Sequence, residues 1–328
     1  VKMRQERFEA HNRSLWDSYN RIVRELDRPA GKRSITVKTG GFPKLYRTVC
    51  HHYALSLSRQ YSPALAAVLH DMVVSGHRHL YRQKHALFKD ALRFVTEEFP
   101  RVFRRRIRYF LSAAVFFLLP ALAAGVACHQ SHDLVYSILD EQQVSRVESM
   151  YDPAGQSPGR SEKRGSDTDL AMFGFYIKNN IGIGFRTFAG GIPAGAGTLF
   201  FLVYNGMMLG GIAGHLTRVG FGETFWPFVS GHGAFELTAI VISGAAGFML
   251  AKALIAPGRY RRADALKNAA PEALTLVMGA ACMLVMAAFV EAFWSSAPFS
   301  PAVKYSAAAI FWGLVMVYLF LSGAGRRV

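Results

Sequence analysis

The sequence predicts an all-α protein, a polytopic helical membrane protein of about six transmembrane helices preceded by an N-terminal cytoplasmic helical domain. Three observations carry this. Residues 1–110 hold 23 Lys and Arg against 9 Asp and Glu, so +14 of the chain's +16 lies in its first third. Long uncharged runs follow, beginning with Ile107–Ala127, which has no charge after Arg108. Basic residues then return in short bursts between and after the apolar runs, at Arg259, Arg261, Arg262 and Lys267 and again at Arg326 and Arg327. The average composition, 51% apolar, decides little, because soluble domains reach it too.

Residues 1–106 read as a basic cytoplasmic domain. Phe8, Leu15, Trp16, Tyr19, Ile22, Val23 and Leu26 recur at spacings of three and four, which predicts a helix over 3–27. Pro29 and Gly31 stop it, and a loop containing Lys and Gly runs to about Pro43. Two more helices are predicted over 44–59 and 63–83, the second opened by Ser62-Pro63. A fourth, 84–106, carries Leu87, Leu92, Phe94, Val95, Phe99, Val102 and Phe103 among basic residues and reads as an amphipathic juxtamembrane helix. Arg101, Arg104, Arg105, Arg106 and Arg108 stand directly before the first apolar span, the expected cytoplasmic flank, where anionic lipid headgroups are the expected partner. No recognition motif for nucleic acid is present, so none is expected to bind. The first 100 residues are too polar for a cleavable signal, and the span near 107 is expected to direct insertion.

Residues 107–328 read as the transmembrane bundle. The first span, 107–127, is about 32 Å of helix, enough for a hydrocarbon core of about 30 Å. Residues 129–169 turn polar and form an extracytoplasmic loop, with a stretch rich in Gly, Pro and Ser from Asp152 to Gly165. The second span, 170–189, contains Lys178, Asn179, Asn180 and Arg186, and the third, 192–214, is uncharged and rich in glycine. Phe221 to Pro257 would make about 55 Å of helix, too long for one crossing. It is therefore divided into an interfacial or re-entrant segment, 221–231, a break near Gly231-His232-Gly233, and a fourth span, 233–256. Spans five and six are 272–292 and 304–323. With the basic domain inside, six spans place 257–271 and the C-terminus in the cytoplasm, where the arginine bursts lie. Outside 129–169 the outer loops hold only Arg218 and Lys304.

Helices in lipid gain little from hydrophobicity toward one another, so close packing must hold them. Gly206, Gly210 and Gly214 lie four apart on one face of span three, Gly191 and Gly195 continue the spacing, and Ser243 and Gly247 repeat it on span four. Polar residues at membrane depth need partners. They are Lys178, Asn179, Asn180, Arg186, Asn205, His232, Glu236 and Glu291. In the expected topology Lys178 and Glu236 both fall in the outer half of the bilayer, so an ion pair between them, or hydrogen bonds from Asn180 or Asn205 to Glu236, would satisfy the carboxylate. Either a polar pathway or a network that fixes the bundle would use these residues. His232 and Glu236 share a helix face, but the pair supplies too few ligands for a metal and would have to recruit His215. No metal, cofactor or catalytic residue is therefore expected. His51, His52, His70, His77, His79 and His85 have neither Cys partners nor a ligand spacing and read as solvent-facing or capping. Cys50, Cys128 and Cys282 share no motif spacing and read as small apolar residues. No nucleophile elbow or phosphate-binding loop occurs.

The run Phe175 to Asn180, then Phe188-Ala189-Gly190-Gly191-Ile192, Gly195, Thr198, Asn205-Gly206, Gly210, Gly214, Gly231-His232-Gly233 with Glu236, Gly244-Ala245-Ala246-Gly247 and Pro257-Gly258 resembles the stage II sporulation protein M family. The basic head, Arg4 through Arg108, resembles the long-N-terminus branch of non-sporulating bacteria and departs from the sporulation form. The resemblance implies a polytopic helical protein of the bacterial inner membrane that is not an enzyme. In sporulating members it implies a membrane anchor for cell-wall-degrading partners during engulfment. Branches like this one are similar to proteins encoded beside MoxR-type ATPases and RDD membrane proteins, which implies an assembly role with such a system. Asn205, Gly206, His232 and Glu236 match the most specific pieces of the pattern. The expected function is a non-enzymatic membrane scaffold that recruits cytoplasmic and envelope partners, a second copy of the chain among them. The alternative is a permease subunit resembling an ABC exporter, working with a separate ATPase through a pore or groove lined by Lys178, Asn180 and Glu236. A membrane hydrolase would need a metal at His232.

Overall fold

The computed structural model describes residues 4–27, 41–81, 83–155 and 166–323. The predicted stop at Pro29 and Gly31, the loop that follows it, the centre of the loop before 166 and the arginines at 326 and 327 lie outside the described residues. The described chain is helical, with no strand. It divides into two compact units after Leu92.

The first unit is a small helical domain. Helix α1 (Gln5–Asp27), α2 (Phe42–Ser58) and α3 (Pro63–Tyr81) share one core. Phe8, Trp16, Tyr19 and Val23 of α1 meet Phe42 and Val49 of α2 and Leu65, Leu69 and Met72 of α3. Buried polar tips are satisfied. The Tyr19 hydroxyl donates to the Met72 carbonyl at 2.9 Å, and Gln5 pairs with both the backbone N–H and the hydroxyl of Ser62 at 2.8 Å. α3 begins at Pro63 as the Ser62-Pro63 signal predicts. Helix α4 (Gln83–Arg93) follows.

The second unit begins at Arg93, so the end of the segment read from sequence as cytoplasmic domain belongs with the bundle. The predicted helix 84–106 is three pieces: α4, a π turn at Phe94–Glu98, and α5 (Phe99–Arg105). Pro100 cannot donate a backbone N–H, and Phe99, Val102 and Phe103 turn into the bundle core instead of lying free on lipid. The Tyr318 hydroxyl donates to the Val95 carbonyl and the Ser322 hydroxyl to the Thr96 carbonyl, each at 2.6 Å.

The bundle helices are α6 (Ile107–Gln130), α8 (Ser166–Ala189), α9 (Ala196–Arg218), α10 (Gly222–Ile255), α11 (Arg262–Phe289) and α12 (Pro301–Leu321), with α7 (Glu141–Tyr151) between α6 and α8. Among the described residues five helices are long and apolar enough to cross a membrane: α6, α9, α10, α11 with its following turn, and α12. The chain is thus an all-α polytopic membrane protein. Helix α8 falls short of that apolarity, as its Lys178, Asn179, Asn180 and Arg186 require. It nevertheless packs along α9, α10 and α11 for its length. A tight turn, with Ala194 and Gly195 at positive φ, folds α9 back beside it, and the Thr198 hydroxyl donates to the Thr187 carbonyl at 2.7 Å across the hairpin.

The division of 221–256 into a re-entrant piece and a span is corrected. Gly222–Ile255 is one continuous helix of 34 residues. Gly231 and Gly233 keep helical backbone because α10 is the central helix, packed by α6, α8, α9, α11 and α12, with 72% of its most apolar stretch buried. Its first turns are covered by the segment read as a loop. There, Tyr151, Phe225, Phe228 and Leu216 form a cluster. That segment holds a short 3-10 turn at Asp133–Ser137 and α7. Helix α7 starts with a capping box in which Asp140 Oδ1 accepts from the Gln143 N–H at 2.8 Å and Gln143 Oε1 from the Asp140 N–H at 3.1 Å.

Candidate functional site

The site is built where α10 passes the end of α11. His232 and Glu236 lie one helical turn apart on α10, with His232 Nε2 3.9 Å from Glu236 Oε2. After Phe289 the helix α11 widens into a π turn, Val290–Ser295, a feature often found at functional positions. This turn places Glu291 and Ser295 against α10. Ser295 Oγ lies 3.0 Å from His232 Nδ1, and its carbonyl accepts from Lys304 Nζ at 2.8 Å. Among the described residues, His232, Glu236 and Glu291 form the one group of three His, Cys, Asp or Glu whose ligating atoms all lie within 4.8 Å of one another. His232 is buried and both carboxylates are half-buried.

A pocket of about 260 Å³ opens onto the cluster, walled on its other sides by Val147, Tyr151, Leu209 and Leu237. Tyr151 ends α7 and is held against the start of α10. Its carbonyl accepts from the Thr224 hydroxyl, and its ring packs edge-on against Phe225 and Phe228. Burial pushes the phenol far above its usual range, and the charges of Glu291, Tyr176 and Glu236 push the same way. The segment between α6 and α8 is fixed further by His215 Nε2, 2.7 Å from Glu148 Oε1, and by Arg218, which donates to the carbonyls of His129 and Gln130 at 2.9 Å.

Of the polar residues singled out in the sequence, the structure brings together His232, Glu236 and Glu291. Lys178 and Asn179 sit on the exposed face of α8, and among the described residues no ion pair joins Lys178 to Glu236. The reason is phase: Tyr176, Asn180 and Gly184 face inward, and a residue two after Tyr176 faces away. Asn180 is buried, and its Oδ1 accepts from Asn179 Nδ2 at 3.1 Å. Asn205 donates to the Phe201 carbonyl of its own helix at 2.6 Å instead of reaching Glu236. Glu291, present in the sequence as a polar residue at membrane depth, gains its place only through the π turn, which residue spacing does not announce. His215, the ligand the pair would have had to recruit, is taken by Glu148.

The glycines face helix contacts. A Cβ at Gly206, Gly210 or Gly214 would overlap the carbonyl oxygen of Phe117, Ala121 or Gly125 of α6, respectively. One at Gly247 would overlap the Thr198 hydroxyl, and Ser243 Oγ lies 3.2 Å from where a Cβ at Gly184 would sit. The basic flank is partly engaged by protein. Arg105 and Arg106 both bind Glu272, at 2.6 and 2.5 Å. Arg104 donates to the Leu319 carbonyl at 2.9 Å, Arg101 is 3.9 Å from Glu97, and Arg108 lies over the Tyr109 ring.

In the first unit, His52 departs from the solvent-facing expectation. It is buried beside Phe8 and Trp16, and its Nδ1 accepts the Trp16 indole N–H at 3.1 Å. An accepting nitrogen carries no proton, so the ring is neutral. Burial, then His51 and His11, hold its pKa below the ordinary 6.5. The unfolded chain therefore binds more protons than the folded one, and stability falls as pH drops through 6.5 toward the depressed folded value. Hydrogen exchange of α1 in the full chain is expected to speed up between about pH 7.5 and about pH 5.5, after correction for intrinsic exchange, and to do so less in His52→Gln. Equal pH dependence in both chains would show that His52 is not the titrating group.

Residues 112–296, more than half of the chain, match the family model described as Stage II sporulation protein M. The match runs from α6 to the π turn and includes every residue of the His232 cluster. Residues 6–82, within the first unit, match a second family model, described as Domain of unknown function (DUF8413). No curated protein and no solved structure matches the chain.

Proposed function

The chain belongs to the stage II sporulation protein M family, and from that premise we propose that it is a non-enzymatic membrane scaffold that recruits cytoplasmic and envelope partners. One observation carries the reading. The bundle closes around α10, and the polar residues a permease would need to line a channel do not share one. Lys178 is exposed on α8, Asn180 is buried elsewhere on that helix, and the pocket at Glu236 is lined by neither. A bundle of this kind offers surfaces and a fixed frame instead of a path.

In this reading the membrane is the bacterial inner membrane, with both termini in the cytoplasm. Helix α8 supports that topology. It is about 36 Å long and returns through a tight turn to α9, so it runs beside a spanning helix. Six crossings leave the C-terminus on the side of the basic domain. The arginine flank then lies at the cytoplasmic surface, where anionic headgroups attract it. The partners proposed are envelope and membrane proteins, a MoxR-type ATPase system and a second copy of the chain.

The test is capture of detergent-solubilised protein, intact and lacking residues 1–92, followed by identification of what co-purifies. Loss of a defined set of cytoplasmic proteins from the shortened form is expected. Recovery of the same set from both would remove recruitment by the basic domain from the reading.

A further inference from the structure

We propose that His232, Glu236 and Glu291 bind one divalent transition-metal cation, with zinc as the reference ion. The donor set is one imidazole nitrogen and two carboxylate oxygens, the ligand types zinc takes in protein sites. The imidazole argues against calcium or magnesium, which prefer all-oxygen shells.

The geometry is arranged for ligation. In the tautomer that carries its proton on Nδ1, His232 donates to Ser295 Oγ and Nε2 keeps its lone pair, and Nε2 is the nitrogen that faces Glu236. A hydrogen bond on the far nitrogen is the usual outer support of a metal-bound histidine. The ligating atoms already lie within 4.8 Å of one another. Around tetrahedral zinc, bonds of about 2.0–2.2 Å put ligands about 3.3–3.6 Å apart. The difference falls on two flexible glutamate side chains, so ligation asks for side-chain rotation first.

Both carboxylates line one largely apolar pocket, and each offers an oxygen that a dication can take. The pocket of about 260 Å³ leaves room on the open side for water or another small oxygen ligand to complete a tetrahedral shell. The sequence pairing of His232 with Glu236 lacks only the third ligand, and the π turn provides it.

The experiment uses the full-length chain in detergent, stripped with a chelator and then loaded with zinc or with cobalt(II). Bound metal per chain and the visible cobalt absorption are read, together with the melting temperature before and after loading. About one zinc per chain is expected, with cobalt bands of a low-coordinate nitrogen and oxygen site and a rise in melting temperature on loading. Glu236→Gln and Glu291→Gln should each lose the bound metal, the cobalt bands and the rise. Ser295→Ala should keep the stoichiometry and bind about 10- to 100-fold more weakly. His215→Gln, which alters the neighbouring Glu148 pair, should bind as the parent does. Melting of the metal-free forms shows which glutamine variants fold, and either alone is decisive. Zinc retained equally by the parent and a folded glutamine variant would overturn the proposal. So would a parent that binds no zinc.

Discussion

Gly210→Val is expected to destabilise the bundle by about 3 kcal/mol, the upper part of the range for overpacked positions. Lipid removes the usual drive for helices to associate, and close van der Waals contact takes its place. Gly206, Gly210 and Gly214 on α9 rest against Phe117, Ala121 and Gly125 on α6, so the two helices touch backbone to backbone over two turns. A Cβ at Gly210 would overlap the Ala121 carbonyl oxygen. A side chain in the way can rotate, but a carbonyl in an α-helix cannot, so α6 and α9 must separate along the whole contact. The gain in helix propensity from replacing glycine, at most about 1 kcal/mol, does not offset this. Unfolding in mixed micelles measures the effect, with Gly313→Val as the comparison. Gly313 lies on α12, where a Cβ would have nothing within 4 Å of it. Equal midpoints for the two variants would show that the α6 and α9 contact does not depend on the missing side chain.

This contact shows what is legible in the chain and what is not. The spacing of Gly206, Gly210 and Gly214 marks a packing face, and the apolar run after Arg108 marks α6. Nothing in either segment says that they pair with each other, because a small-residue face fits any helix that offers one. The core of the first unit is legible for a simpler reason. Phe8, Trp16, Tyr19 and Val23 have the period of a helix, and burial follows period. The long helix α10 misleads because protein packing, not one crossing's length, sets the extent of Gly222–Ile255. Its first turns are covered by Tyr151 and its neighbours from a segment that reads as loop. The candidate site is half legible. His232 and Glu236 announce themselves by their spacing. Glu291 needs the π turn, a local change of helical pitch produced by tertiary packing.

Phe99→Ala is expected to cost about 3 to 5 kcal/mol, as for other buried aromatics cut to alanine, and to release the basic segment from the bundle. Phe99 is 1% exposed. Its ring fills the space that a side chain at Gly279 of α11 would occupy, and it packs against Phe94 and Tyr318 with ring centres 6.3 and 6.2 Å away. Val102 and Phe103 follow it into the same core, and Phe103 meets Phe110 and Phe320 edge-on. The polar contacts are secondary. The Arg105 and Arg106 pairs with Glu272 are half-exposed, and exposed pairs contribute about 0 to 1 kcal/mol each. A space beside Phe99, lined by Val95, Cys282 and Met283, already exists, and loss of the ring would enlarge it. Limited trypsin digestion after Arg101, Arg104 and Arg105 reads the release directly. Rapid cleavage is expected in Phe99→Ala and slow cleavage in both the parent and Phe88→Ala, since Phe88 is 71% exposed. Slow cleavage in all three would mean that the arginines, not the ring, hold α5 in place. The distinction matters for the proposed scaffold role. A segment anchored by an aromatic core passes any load placed on it to α11 and α12, whereas one held by surface ion pairs would let go as salt rises.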